Sequence, residues 1–277
     1  MIVRAPATSA NMGSGFDCAG VALDLWNELE VTEAEASATE VVVEGEGEGE
    51  LPEDESNLAV RAFSLLADPA GRRFRLRNRI PLERGLGSSA AAIALGLAAA
   101  RPHGDPEDLL ARGLELEPHA DNIAPALVGG MCLTWNGRIA KIADRLPLRA
   151  VVVVPRKRMS TLAARSLLPR EVSHADAAFT AARALLLGAA AASGDAALMA
   201  AALSDRLHEP YRASALLEEI RKDLPPGAAG ATLSGSGPSV VCWASDPDAC
   251  ASSLAGRYPG HRVLPLEVAS TGALQSR

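Results

Sequence analysis

Apolar and polar positions alternate over Trp26–Ala34, read Trp-Asn-Glu-Leu-Glu-Val-Thr-Glu-Ala, and this period of two predicts a half-buried strand with Val41–Val43 as its partner. Ile2–Ala5 predicts a strand that runs into Pro6–Asp17, a segment crowded with small and turn-forming residues and expected as a loop. A helix is predicted over Asn57–Ala67 with Ser56 as its cap, then a strand at Arg73–Ile80, where Phe74 and Leu76 alternate with Arg73, Arg75 and Arg77 on a solvated face. Helices at Ala90–Ala100 and Pro106–Leu116 and a strand at Gly130–Trp135 follow. Strands, helix, strand, helix in this order predict an α+β fold without a regular βαβ repeat.

The second half starts near Val151–Val154, a buried strand ended by Pro155, so the expected division is residues 1–150 and 151–277. Thr161–Arg165 opens a short helix. Ser173–Ala192 and Asp195–Leu207 form an Ala/Leu-rich helical pair broken at Ser193-Gly194, and Ser214–Asp223 is another helix. Gly230–Ala244 reads as strand, glycine-serine turn, strand. A helix at Asp246–Gly256 and a strand at Arg262–Ala269 complete the chain.

Composition narrows the function classes. At 277 residues with 48% apolar and only 3% aromatic residues, the chain can bury a core made mostly of Ala, Leu and Val. A net charge of −7 argues against a nucleic-acid partner, which requires a basic face. Four separated cysteines show no paired spacing for zinc or a disulfide framework. The first residues carry no basic and apolar leader, so a cytoplasmic location is expected. The most membrane-like stretch, Ala177–Leu203, is interrupted by Thr180, Arg183, Ser193, Gly194 and Asp195, and two packed helices suit it better than a membrane span. The acidic repeat Glu44–Glu50 is expected as an exposed flexible connection.

The candidate chemistry centres on Pro81-Leu82-Glu83-Arg84-Gly85-Leu86-Gly87-Ser88-Ser89-Ala90-Ala91-Ala92. Two glycines allow positive φ, two hydroxyls follow, and a helix starts there. The free N–H groups and dipole of a helix start favour an anion. The GxxxxGK[ST] spacing and a third dinucleotide-binding glycine are both missing. The same residues would also serve as a turn capping a buried helix. Glu115, Glu117, His119, Asp121 and Asn122 form a dense group of hard oxygen ligands and acid-base residues, fit either for Mg²⁺ or for a capped turn. Asn11 and Asp17 are the polar side chains of the first small-residue segment. A second glycine-serine loop, Leu233–Ser239, can bring backbone N–H groups to a ligand.

Four segments, in order, resemble the GHMP kinases, and within that superfamily most nearly its homoserine kinase family. The pattern P-A-T-S-A-N-L-G-P-G-F-D appears as Pro6–Asp17 with Met12 and Ser14 substituted, and P-L-x-x-G-L-G-S-S-A-A appears unbroken as Pro81–Ala91. E-G-H-P-D-N-V-A-P-A appears as Glu117–Ala126 with Pro118, Ala120 and Ile123 differing, and A-x-L-S-G-S-G-P-S appears as Ala231–Ser239.

The resemblance implies a two-lobed α+β fold, with a ribosomal-protein-S5-like N-terminal lobe and a ferredoxin-like C-terminal lobe. It implies ATP and Mg²⁺ as cofactors and transfer of the γ-phosphoryl to the side-chain hydroxyl of L-homoserine, with a homodimer as the expected assembly. By analogy Pro81, Leu82, Arg84, Gly85, Leu86, Gly87, Ser88, Ser89, Ala90 and Ala91 hold ATP, with Asn57 near the adenine. Mg²⁺ is assigned to Ser88, Ser89 and Glu117, with Glu115 as the alternative carboxylate. Substrate contacts are assigned to Asn11, Asp17, His119, Asp121, Thr161, Arg165, Arg212 and Gly235, the two arginines taking the carboxylate by fork geometry. Related kinases place an aspartate base where Asn122 stands, so Asn122 is expected to stabilise the transition state and Asp121 is the candidate base. The competing readings are another small-alcohol kinase, of shikimate or mevalonate type, and a nucleotide-binding sensor without turnover.

Overall fold

A computed structural model describes residues 1–35, 37–159 and 164–275. The N-terminal lobe is built on a six-stranded sheet. Strands β1 (Ile2–Asn11) and β2 (Gly15–Glu33) form a long hairpin, and β3 (Glu40–Gly45), β4 (Arg72–Asn78), β5 (Met131–Trp135) and β6 (Arg138–Ala143) complete it. The order is β3-β4-β2-β5-β6 with β1 also paired to β2, and among the described residues only the β3–β4 pair of this sheet is parallel. Helix α2 (Ser88–Ala100) and helix α4 (Ala120–Val128) pack on the hairpin, flanked by α1 (Leu58–Ser64) and α3 (Pro106–Gly113). Arg73, Arg75 and Arg77 lie on the solvated side of β4 as expected, each paired across strands with Glu40, Glu44 or Glu28. Exposed pairs of this kind contribute little to stability, so they mark the wet face more than they stabilise it.

The C-terminal lobe is a four-stranded antiparallel sheet of β7 (Arg149–Val154), β8 (Ala228–Leu233), β9 (Val240–Ala244) and β10 (Arg262–Leu266), in the order β10-β7-β9-β8. Helices α5 (His174–Ser193), α6 (Ala196–Ala202) and α7 (Ala215–Lys222) lie between β7 and β8 in the chain, and α8 (Pro247–Arg257) lies between β9 and β10. This is the split βαβ arrangement of a ferredoxin-like unit. Its strands explain their own uninterrupted apolar sequences. Ala150, Val152 and Val154 of β7 join a core continuous with the N-terminal lobe, while Val151 and Val153 join a second core under α7 and α8. A strand buried on both faces needs no polar alternation. Because β9 divides likewise, with Val241 and Trp243 on one side and Val240 and Cys242 on the other, one face of this sheet is the floor on which the first lobe sits.

Several local expectations are corrected. Pro6–Asp17 is strand and tight turn, since β1 continues to Asn11 and β2 begins at Gly15. Its small residues Ala7, Thr8, Ser9 and Ala10 are buried because helix and loop backbones press against them. Asn57, not Ser56, caps α1: its Oδ1 accepts from the Ala59 N–H at 3.0 Å, while the Ser56 hydroxyl is bonded to Asp54. Helix α4 and strand β6 were not expected; Pro125 inside α4 masks its helical pattern. The Glu44–Glu50 repeat is tied to the C-terminal lobe through Glu46–Arg262 (2.7 Å) and Glu50–Arg158. Among the described residues one helix, α5, is long and apolar enough by length and composition to cross a membrane. Here its Leu187, Ala190 and Ala191 pack into the shared core, and its Thr180 is hydrogen-bonded to Asp205.

Candidate active site

The glycine-serine stretch stands where three backbones converge. Gly87 caps α2 in the left-handed region, with φ 66° and ψ 30°, and offers no side chain to the helix start. A Cβ on Gly87 would lie 1.9 Å from Thr8 Oγ1, and one on Gly85 would lie 2.2 Å from the Ser234 carbonyl oxygen. Only glycine permits this approach. The Thr8 N–H donates to the Leu86 carbonyl at 3.0 Å, and Ser234 Oγ donates to the Gly85 carbonyl at 2.6 Å. The loop is thus pinned between β1 and the second glycine-serine turn, and Ser88 and Ser89 at the start of α2, where N–H groups have no partner within the helix, line a cavity of about 430 Å³.

Pro81, Leu82, Arg84, Gly85, Leu86, Gly87, Ser88, Ser89 and Asn57 line this cavity, together with Glu117, His119, Asn122 and Gly235. Leu51, Pro52, Leu58, Leu76 and Met159 supply an apolar portion, so one space joins an apolar pocket to a polar, amide-rich floor. Four residues assigned to ATP change in character. Ala90 and Ala91 do not line the cavity; their side chains are fully buried in the core, and the Ala91 N–H is spent on the Gly87 carbonyl at 2.8 Å. Arg84 lines it, but its guanidinium donates to the carbonyls of Leu82, Pro155 and Arg156, clamping the loop to the chain entering the second lobe. Asn57 commits its amide to the α1 cap and to the Pro52 carbonyl.

Glu117 and His119 line the cavity as a pair, with Nδ1 of His119 3.1 Å from Glu117 Oε1, and this hydrogen bond raises the pKa of His119. Glu115 is turned away to Arg112 at 2.9 Å. Among the described residues no group of three or more His, Cys, Asp or Glu could hold a metal by itself. Asn122 faces the cavity with its Oδ1 accepting from Thr8 Oγ1 at 2.8 Å. Its neighbour Asp121 does not line the cavity. It is buried, and burial, then the charge of Asp17, pushes its pKa up to about 6.

A second cluster lies at the β1–β2 turn. Asn11, Met12 and Asp17 all adopt positive φ (69°, 46° and 55°), a costly choice for non-glycine residues that gathers at functional sites. The side chain of Asn11 accepts from the Asp17 N–H and donates to the Gly235 carbonyl, both at 3.0 Å. Asp17 forms a two-pronged pair with Arg165, at 3.1 and 2.6 Å, which raises the pKa of Arg165. Arg212 is buried, and its Nη1 donates to the Gly235 carbonyl at 2.8 Å, while its Nε is buried with no partner among the described residues. The Phe16 ring lies beneath both guanidinium groups, 5.9 Å from Arg165 Cζ and 5.7 Å from Arg212 Cζ. Thr161 falls outside the described residues.

Gly235 joins the two clusters. It lines the cavity, its N–H donates to the Ala10 carbonyl, and its carbonyl receives both Asn11 and Arg212. Thr8, Phe16, Ser234 and His208 were not singled out from sequence. Thr8 and Ser234 stand inside the quoted motifs, but His208 carried no signal beyond ending a helical pair.

A family model described as the GHMP kinases N terminal domain matches residues 57–130, the span from the α1 cap to the end of α4. A homoserine kinase of Gloeobacter violaceus is 44% identical over 259 residues, covering 87% of this chain and 86% of its own. One of Leifsonia xyli subsp. xyli is 42% identical over 262 residues, covering 88% and 81%. The crystal structure of homoserine kinase from Cytophaga hutchinsonii matches with a TM-score of 0.86 at 26% identity, over 98% of this chain and 96% of that one. Likeness first visible in four short segments therefore runs through both sheets, and the chain belongs to the homoserine kinase family of the GHMP kinases.

Proposed function

We propose that this chain transfers the γ-phosphoryl group of ATP to the side-chain hydroxyl of L-homoserine, giving O-phospho-L-homoserine and ADP. One observation carries the reading beyond the family relation: a glycine-serine nucleotide cavity and a cluster of one carboxylate and two arginines meet at the carbonyl of Gly235. A zwitterionic alcohol needs a carboxylate for its ammonium, guanidinium groups for its carboxylate, and a hydroxyl that reaches the γ-phosphate. Asp17 with Asn11 serves the first, Arg165 and Arg212 the second. The hydroxyl lies toward His119 and Asn122. In the transfer the hydroxyl oxygen bonds to the γ-phosphorus as the bond to the bridging β,γ-oxygen breaks, and the hydroxyl proton leaves to solvent or to a nearby base.

The loop N–H groups and the hydroxyls of Ser88 and Ser89 hold the phosphates, and the apolar wall holds the base. With its Oδ1 engaged by Thr8, Asn122 turns its amide NH₂ toward the transferred group, where it stabilises charge built up in a loose transition state. Asp121, with a pKa near 6, is tuned for a base but is set back from the cavity, so it acts on the amino end through its charge and serves as base only in second place. Glu117, Ser88 and Ser89 line one space as hard oxygen donors, and this set fits Mg²⁺ held mainly by phosphate oxygens. Bound there, Mg²⁺ neutralises phosphate charge.

ADP release from Mg-ATP, measured with L-homoserine, L-threonine, L-serine, shikimate and mevalonate, tests the reading. A strong preference for L-homoserine is expected. Preference for shikimate or mevalonate would reassign the arginines, and ATP binding without turnover of any of them would leave a nucleotide sensor.

A further inference from the structure

We propose that His208, as a neutral imidazole with its proton on Nε2, is a positioning residue that holds Arg212 in place for the substrate carboxylate and ties it to the β1–β2 turn. The inference rests on the function proposed above for the role of Arg212, but the state of His208 can be read without it.

The tautomer follows from obligate partners. Arg212 Nη1 stands 2.9 Å from His208 Nδ1, and a guanidinium nitrogen has only hydrogens to offer, so Nδ1 accepts. The Gly13 carbonyl stands 2.8 Å from Nε2 and can only accept, so Nε2 donates. One neutral form satisfies both contacts, whereas an imidazolium would set a hydrogen against the guanidinium. The ring is completely buried, and burial lowers its pKa below the ordinary histidine value even with the Asp205 carboxylate 3.6 Å from Nε2, so the neutral form persists at physiological pH.

The ring is also fixed from behind. Asp205, itself buried, accepts the N–H groups of Leu207, His208 and Glu209 at 2.9, 2.8 and 2.9 Å and bonds the Thr180 hydroxyl at 3.3 Å. In front, the Phe16 ring stacks on the imidazole with centroids 4.9 Å apart. His208 therefore touches the turn at Gly13, the platform at Phe16 and the guanidinium of Arg212. With Nη1 of Arg212 divided between His208 and Gly235, the buried Nε has no partner among the described residues and remains for the ligand. A side chain that only filled space would need neither nitrogen.

Two measurements test this. ¹⁵N NMR of histidine-labelled wild-type protein at neutral pH should show one imidazole in the Nε2–H tautomer, assigned by its loss in a His208→Gln variant. An Nδ1–H or imidazolium signature for that ring would overturn the proposal whatever the substrate. The second is steady-state kinetics of His208→Asn, which can retain an acceptor on the Nδ1 side, and His208→Gln, which can retain a donor on the Nε2 side. His208→Gln should raise KM for L-homoserine about tenfold, the size expected for one hydrogen bond to a charged group, with KM for ATP unchanged and His208→Asn less affected. An unchanged KM for L-homoserine in both variants, or equal losses toward both substrates, would reduce His208 to packing. Failure of the wild-type enzyme to phosphorylate L-homoserine is a different result, which removes the proposed substrate and leaves the NMR prediction standing or falling by itself.

Discussion

In the proposed site the phosphate end is the backbone and the Ser88 and Ser89 hydroxyls of one contiguous stretch, Pro81–Ser89, whereas the proposed amino-acid end is side chains at positions 11, 17, 165 and 212, brought together from both lobes. The materials differ because the ligands differ. A triphosphate can be met by a row of N–H groups, which require glycine and close approach. A zwitterion of a few atoms must be met by opposite charges at fixed separation, and only side chains on a scaffold of two lobes provide that. Damage should accordingly divide: added volume should hurt the first end and lost charge the second.

The largest expected effect is from Gly87→Ala. Its Cβ would meet Thr8 Oγ1 at 1.9 Å, and the left-handed backbone adds roughly 1–2 kcal/mol of strain. ATP binding by calorimetry should be lost or cut by orders of magnitude, and near-normal binding would break the contrast. Arg212→Ala should come next, raising KM for L-homoserine on the order of a hundredfold, since a buried charge-assisted contact contributes about 1.5–3 kcal/mol. Arg212→Lys should fail to restore it, because an ammonium cannot reproduce the guanidinium's division between His208 and Gly235. Asn122→Ala should lower kcat about tenfold to a hundredfold with ATP affinity kept, as removal of a transition-state donor does; lost ATP affinity would place Asn122 at the nucleotide end instead.

Asp121→Asn sharpens the comparison through stability. Burial raises the pKa of Asp121 from its usual 3.8 to about 6. A carboxyl with a raised folded-state pKa favours the fold while protonated, so wild-type stability falls as pH rises through that window. At pH 7.5 the neutral asparagine should be more stable by about 1–3 kcal/mol, read from denaturant midpoints, and the gain should vanish near pH 4. A gain independent of pH would mean the buried charge is not its source. The smallest effect expected is from Glu50→Gln, an exposed partner of Arg158 at the cavity rim, whose loss should leave the denaturant midpoint close to that of wild type.

The contrast also explains what could be read in the chain beforehand. A site made from consecutive backbone leaves a consecutive trace, and Gly85, Gly87, Ser88 and Ser89 lie in the structure on the cavity that their order implied. The other strands apart from β6, the paired helices α5 and α6 and the arginine face of β4 were legible because alternating or continuous apolar runs mark them in the sequence. The strand through Pro6–Asn11 was not, since its residues are small for the sake of neighbouring backbones and carry no strand propensity. Ala91 and Arg84 fitted a motif, yet their N–H and guanidinium are spent on the protein's own carbonyls. His208 became visible only once Gly13 and Arg212, distant from each other in the chain, were seen on its two nitrogens.

The central claim is that one site has two separable ends, and the most direct test is to measure KM for ATP and for L-homoserine in wild type, Ser89→Ala and Arg212→Ala. The account predicts crossed defects, with ATP affected in the first variant and L-homoserine in the second. If either variant weakened both substrates equally, or if Arg212→Ala changed only ATP, the division of the site would be contradicted.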